Sequence, residues 1–229
     1  MTDLMANKMT TETATQPMNE ATPTVAADAP AIDFYFDFIS GYGYFASLRI
    51  EALAARHGRR VDWHCMLLGV SVMKVMGLKP LLDTPLKGDY VKRDAARYQR
   101  RHGLSLARDL SHPMMDPRPA ARAFCWVKRE HPGCAGAFAH AVFDRYWRLG
   151  HDLSLTEELL ALAAPLGLVA ADLHAGIEAE SSRVDLRNSV AAALEVGVFG
   201  SPFIVIDGEP FWGSDRLELA QEWLAQGGW

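Results

Sequence analysis

Cysteine is scarce in this chain: 229 residues carry three, Cys65, Cys125 and Cys134. Three is an odd number and too few for a disulfide framework, which suits a reducing compartment. Long apolar runs are missing too. No segment approaches the roughly eighteen uninterrupted apolar residues of a membrane span, so no membrane partner is expected. Positive charge is in deficit, with a formal net charge of -5, which argues against an electrostatic footprint for nucleic acid or an anionic lipid surface. From Met1 to about Ala31 there is neither an apolar run nor any helical or strand periodicity, and residues 1–31 read as a disordered tail. That stretch has neither the apolar centre of a secretory signal nor the arginine content of a transit peptide, so the cytoplasm is the expected location.

What is present is the composition of a soluble globular protein, 49% hydrophobic and 22% charged, long enough for one large domain or two small ones. The informative stretch runs from Ile32 to Ser47, IDFYFDFISGYGYFAS. β-Branched and aromatic residues fill a strand's length up to Phe38; the pattern then changes at Ser40-Gly41. Ser is a preferred N-cap, and Tyr44, Phe45, Leu48 and Leu53 recur behind it at helical spacing. A strand therefore runs into a helix with Ser40 at its start, where free N–H groups favour anions, thiolates included. An ordinary cap would read the same way.

Val61 to Leu67 reads as a second strand, so the first two strands and their helix form a βαβ unit. Its strands should be parallel, with the ligand end at their carboxyl termini. From Val70 to Ser182 strand signals stop, and helical periodicity recurs over 72–76, 85–101, 119–129, 134–149, 154–164 and 170–180. Ser154 and Glu157 fit a capping box. Strands return with a short helix over Arg187–Glu195, then Phe203–Ile206, an Asp207-Gly208 turn, Glu209–Trp212, and a last helix, 215–225, capped by Ser214. The expected fold class is α/β: a thioredoxin-like domain, residues 32–69 and 183–229, carrying a large all-helical insertion, residues 70–182.

Four segments carry a family resemblance: Phe36-Asp37-Phe38-Ile39-Ser40-Gly41-Tyr42-Gly43-Tyr44, Gly197 to Phe203, Val205 to Glu209, and Phe211 to Leu217. Together they resemble the 2-hydroxychromene-2-carboxylate isomerases, relatives of the kappa-class glutathione transferases and, further off, of the DsbA-type oxidoreductases. The helical middle matches chiefly at Pro85, Lys87, Tyr90 and Asp94. Oxidoreductases of this fold carry Cys-x-x-Cys at the strand-to-helix turn; here the four residues are Ser40, Gly41, Tyr42 and Gly43, so neither attacking nor resolving thiol is available. The resemblance implies glutathione as cofactor, with the Ser40 hydroxyl donating a hydrogen bond to its thiolate as the catalytic residue. It implies further that Lys87, Ser201, Pro202 (in a cis peptide bond), Ser214 and Asp215 hold the tripeptide. A small aromatic carboxylic acid would be the substrate, met by Tyr42, Tyr44, Arg97 and Trp212. It also suggests a homodimer.

Bland readings stand beside these roles. Ser201-Pro202 is compatible with a trans proline at a strand start, and Ser214-Asp215 with a plain cap and an acidic first turn. Lys87, Tyr90, Asp94, Arg97 and Arg101 share one helix face, where Asp94 and Arg97 can form an i,i+3 pair. Cys125, His131, Cys134 and His140 match no standard zinc spacing, and no metal is expected. Two positions depart from the family: Gly41 stands where proline is common, and Leu78 where a polar asparagine is common. The expected reaction is a glutathione-dependent isomerisation. A kappa-type glutathione transferase and a non-catalytic thioredoxin-like peptide-binding protein are the alternatives.

Overall fold

The computed structural model describes residues 28–229. The tail expected over 1–31 lies outside the described residues except for its last four, of which Ala31 already opens the first strand. Four strands form one sheet in the order β2-β1-β3-β4, with β1 at Ala31–Phe36, β2 at Arg60–Cys65, β3 at Phe203–Ile206 and β4 at Glu209–Trp212. β1 pairs parallel with β2, Phe34 opposite Trp63, and antiparallel with β3, Phe34 opposite Ile204. The β3–β4 hairpin turns at Asp207 and Gly208, both at positive φ (52° and 91°), the combination that Asp-Gly supplies in a two-residue turn.

The period of two along β1 divides the interior. Ile32, Phe34 and Phe36 face the helix α1, Gly41–Arg56, and the helical layer beyond it, while Tyr35 faces the other way. On the first face Phe36 meets Trp63, Phe124, Phe38 and Phe143 with ring centroids 5.0–5.5 Å apart, and each such ring buried contributes about 1.5–3 kcal/mol. On the second face Tyr35, Phe203 and Val205 pack with Met66, Ala193 and Val198.

Between β2 and the return to the sheet the chain is helical: a π-helical segment at Gly69–Val75, then α2 at Lys87–Arg101, α3 at Arg118–Glu130, α4 at Ala135–Phe143, α5 at Thr156–Leu160, α6 at Ala170–Glu178 and α7 at Glu180–Val196. Three details differ from the sequence reading. The helix expected over 134–149 changes from α4 to a π-helical turn at Asp144–Arg148. Ser154 forms no capping box: its hydroxyl donates to Asp152 at 2.7 Å, a charged acceptor closer than the helix start, and Leu155 takes the cap position. The helix expected over 187–195 starts at Glu180, because Ser182, Leu186, Val190 and Ala193 form one continuous buried stripe.

Candidate active site

Ser40 occupies the N-cap of α1 in extended conformation (φ -86°, ψ 111°). Its Oγ accepts the Gly43 N–H at 2.9 Å and donates to the Ser201 carbonyl at 2.8 Å. No acidic residue lies in the first turn of α1, so the positive end of the helix is left for an anion. The Ser201-Pro202 peptide bond is cis. The backbone N–H of Ser201 has no acceptor among the described residues, whereas Pro202 accepts the Gly213 N–H at 3.1 Å. Ser40, Ser201 and Pro202 thus meet at one point.

Two glycines keep this turn tight. A Cβ on Gly43 would lie 2.8 Å from Ser201 Oγ, closer than real Cβ contacts come, and 3.1 Å from Ser40 Cβ, tighter than most. At Gly41 a Cβ would meet Leu110 Cδ2 at 3.1 Å and Trp147 at 3.5 Å. The departure from the family's proline therefore leaves room for Leu110, whose loop closes over the turn.

Tyr42 points from the same turn toward α2, donating its hydroxyl to Asp94 Oδ2 at 2.7 Å, while Arg97 donates to Asp94 Oδ1 at 2.6 Å. Burial, then the Asp94 carboxylate, push the Tyr42 phenol far above its usual range, with smaller contributions from Tyr90 and Asp215. Tyr42 stays protonated, and Asp94, Tyr90 and Asp215 all lie around it. Arg97, expected at an anionic substrate, pairs with Asp94 and leaves more than half of its side chain exposed. Lys87 is exposed on the first turn of α2 and makes no ion pair with a described residue. It lies seven residues, or two helical turns, before Asp94, on the same face.

Gly213, at φ 114°, heads a short 3-10 turn over Ser214–Arg216, and α8 follows at Leu217–Gln226. Ser214 is therefore inside this turn and buried, not the cap of the last helix, because Gly213 already accepts the Arg216 N–H at 3.1 Å. Asp215 is exposed and pairs with Arg216 at 2.9 Å. Trp212 lies against the Gly200 backbone and meets Phe199 edge-on at 4.8 Å, with half its surface exposed.

Tyr44 requires a correction. Expected at the substrate, it is 2% exposed, packs on Phe143 at 6.0 Å and donates to Asp144 at 3.4 Å. Burial, with Asp144 beside it, pushes its hydroxyl up to about 12. Two positions past Tyr42, helical spacing turns the Tyr44 side chain into the helical layer.

Two of the chain's thiols, Cys65 and Cys125, are buried and unsuited to nucleophilic work. Burial drives Cys125 up to about 12 and holds Cys65 well above the ordinary thiol value. The four-residue set Cys125, His131, Cys134 and His140 does not converge, and His140 pairs with Glu51 at 3.1 Å. Asp33, Asp62 and His64 do converge, but Lys128 already sits 2.7 Å from Asp62. The residue that the sequence reading passed over is Asp37, fully buried at the end of β1; the signal for it was an acid inside an otherwise apolar run.

Comparison with known proteins bears on this geometry. The profile of the DSBA-like thioredoxin domain matches residues 31–225. The 2-hydroxychromene-2-carboxylate isomerase of Sphingobium xenophagum is 28% identical over 194 residues, 84% of this chain and 97% of that protein. Human glutathione S-transferase kappa 1 is 26% identical over 211 residues, 85% of this chain and 91% of the transferase. Among solved structures, a 2-hydroxychromene-2-carboxylate isomerase superposes with a TM-score of 0.74 at 26% identity, covering 86% of this chain and 95% of its own.

Proposed function

The chain belongs to the DSBA-like thioredoxin domain family, and from that premise we propose that it is a glutathione-dependent isomerase acting on a small aromatic carboxylic acid. The reaction is the interconversion of 2-hydroxychromene-2-carboxylate and trans-o-hydroxybenzylidenepyruvate. The observation that carries this reading is the Ser40 hydroxyl at the helix start, facing Ser201 in a turn that holds no cysteine. In support, relatives that span nearly their whole length on this chain are isomerases of that name.

The residues present fit glutathione. The Ser201 N–H, unpaired among the described residues, and its carbonyl, held by the Ser40 hydroxyl, offer one donor and one acceptor to an extended peptide. Asp215 offers a carboxylate to an ammonium, and Lys87 a free cation to a carboxylate. When bound, glutathione would supply a nucleophilic thiolate to the conjugated substrate, a cofactor chemistry that leaves the tripeptide unconsumed. Ser40 contributes a proton that is donated without being given up. Its Oγ is held by Gly43 N–H, so a competing acceptor takes the hydrogen from the Ser201 carbonyl by rotation about the Cβ–Oγ bond alone. Tyr42, kept protonated against Asp94, presents an aromatic ring two residues from Ser40, and Trp212 lies against the Gly200 backbone, next to Ser201. The protein works in the cytoplasm as a homodimer in this reading. No helix among the described residues is long and apolar enough to cross a membrane.

The test is product analysis with purified protein. Free glutathione stays constant over many turnovers if the reaction is an isomerisation. Consumption of one glutathione per product would establish the transferase reading, which the similarity to the human kappa enzyme favours. No turnover with either chemistry would refute both.

A further inference from the structure

We propose that Asp37, enclosed and out of reach of any ligand, is the positioning residue that aims Ser40 and Ser201 at one another. The inference rests on reading the Ser40–Ser201 turn as the glutathione site.

Asp37 uses every polar group it has on a different part of that turn. Its Oδ1 accepts the Ile39 N–H at 3.2 Å and its Oδ2 the Leu68 N–H at 2.8 Å. Its own N–H donates to Ser201 Oγ at 3.0 Å, and its carbonyl accepts the Ser40 N–H at 3.0 Å. The β1–α1 turn, the segment leaving β2 and the loop before β3 therefore converge on one residue. The side-chain bonds fix the Asp37 backbone, and the backbone in turn fixes where the Ser201 hydroxyl and the Ser40 amide stand. Ser40 Oγ then closes the ring onto the Ser201 carbonyl.

A carboxylate suits this post. Both of its partners are N–H donors, which an acceptor-only group satisfies together, whereas an asparagine would turn its NH2 toward one of them. Retaining a buried acid without a cation is costly, and an apolar residue in its place would leave both N–H groups without an acceptor. The titratable groups that face it are the Cys65 thiol of β2 and the Tyr146 hydroxyl of the π-helical turn, both neutral at neutral pH. No acid stands in the first turn of α1. Burial accordingly holds the Asp37 carboxyl up at about 6, so its protonation adds a hydrogen where two donors already point and loosens one anchor.

The experiment has two arms. In the first, amide NMR of the ligand-free wild type is followed from acid to neutral pH. The Ile39 and Leu68 amides titrate with a shared midpoint near 6, and the Ser40 amide moves with them; Asp37→Asn abolishes the movement. Amides that do not respond in the wild type overturn the proposal without recourse to any variant. In the second arm, the ultraviolet absorbance of bound thiolate is titrated. Asp37→Asn, folded by circular dichroism, raises the midpoint of the bound thiol by about one unit, a tenfold loss of thiolate fraction. A merely structural aspartate would lower the melting temperature and leave that midpoint unmoved, and this result overturns the proposal. Failure of the wild type to bind glutathione would sink the functional reading, while the first arm still decides the role of Asp37.

Discussion

The hydroxyl of Ser40 donates to the backbone carbonyl of Ser201 across 2.8 Å of space and 161 residues of chain. This bond joins the first helix start to the loop that precedes β3, and the same oxygen caps α1 through Gly43. Ser40→Ala removes both bonds. The cap alone is worth about 0.5–2 kcal/mol and a part-buried side-chain bond about 1 kcal/mol. We expect urea denaturation to show a loss of about 1.5–3 kcal/mol together with a fall in kcat of at least about tenfold. A stable variant with full activity would remove Ser40 from the account.

Gly43 faces Ser201 as closely as Ser40 does, since a Cβ there would lie 2.8 Å from Ser201 Oγ. In an exposed helix Gly→Ala gains about 0.5–1 kcal/mol; here overpacking of about 1–3 kcal/mol outweighs it. Gly43→Ala is therefore destabilising, and Ser201→Ala recovers part of the loss in a double-mutant cycle with a coupling of at least about 0.5 kcal/mol. Additive effects would show that the two residues do not compete for the same space. By the same geometry, placing cysteines at 40 and 43 does not restore a working dithiol.

Asp37 ties stability to pH in a direction opposite to that of most carboxylates. Its carboxyl is raised from 3.8 to about 6, so the folded state holds the proton more tightly than the unfolded one. The associated stabilisation is complete below pH 4 and is lost as pH rises through 6. Two units correspond to about 3 kcal/mol. Wild type should therefore lose about that much stability relative to Asp37→Asn between pH 4 and 7, measured by denaturant unfolding at each pH. A difference that does not change with pH would contradict the burial argument.

Tyr42 and Arg97 both donate to Asp94, but their contributions differ. The Arg97 side chain is 58% exposed and paired at i,i+3, so Arg97→Ala changes stability by no more than about 0.5 kcal/mol and leaves KM within about twofold. Tyr42 is half-buried and bonds to a charged acceptor, a class worth about 1.5–3 kcal/mol. Tyr42→Phe is expected to cost more than Arg97→Ala in thermal unfolding. A KM for the aromatic acid that rises strongly in Arg97→Ala would return Arg97 to the substrate.

Much of the fold was legible because its signals are local. The alternation of Ile32, Phe34 and Phe36, the Ser40 cap, the Asp207-Gly208 turn and the return over Phe203–Ile206 each follow from a few adjacent residues. The parts that were not legible depend on distant partners. Tyr44 looks as available as Tyr42 in sequence, and only the position of Phe143 and Asp144 draws it into the interior. Ser154 loses its capping box to Asp152 two residues away. Asp94 reads as half of a surface pair until Tyr42 arrives from 52 residues earlier, and nothing near Asp37 announces that Leu68 and Ser201 converge on it.

Calorimetric titration of glutathione into the wild type, Lys87→Ala and Asp215→Ala shows whether this cysteine-free turn binds the tripeptide. We expect saturable binding by the wild type and a weakening of about tenfold, about 1.4 kcal/mol, in each variant. Absence of binding at glutathione concentrations on the order of millimolar, about 4 kcal/mol of affinity, would contradict it, as would wild-type affinity retained in both variants.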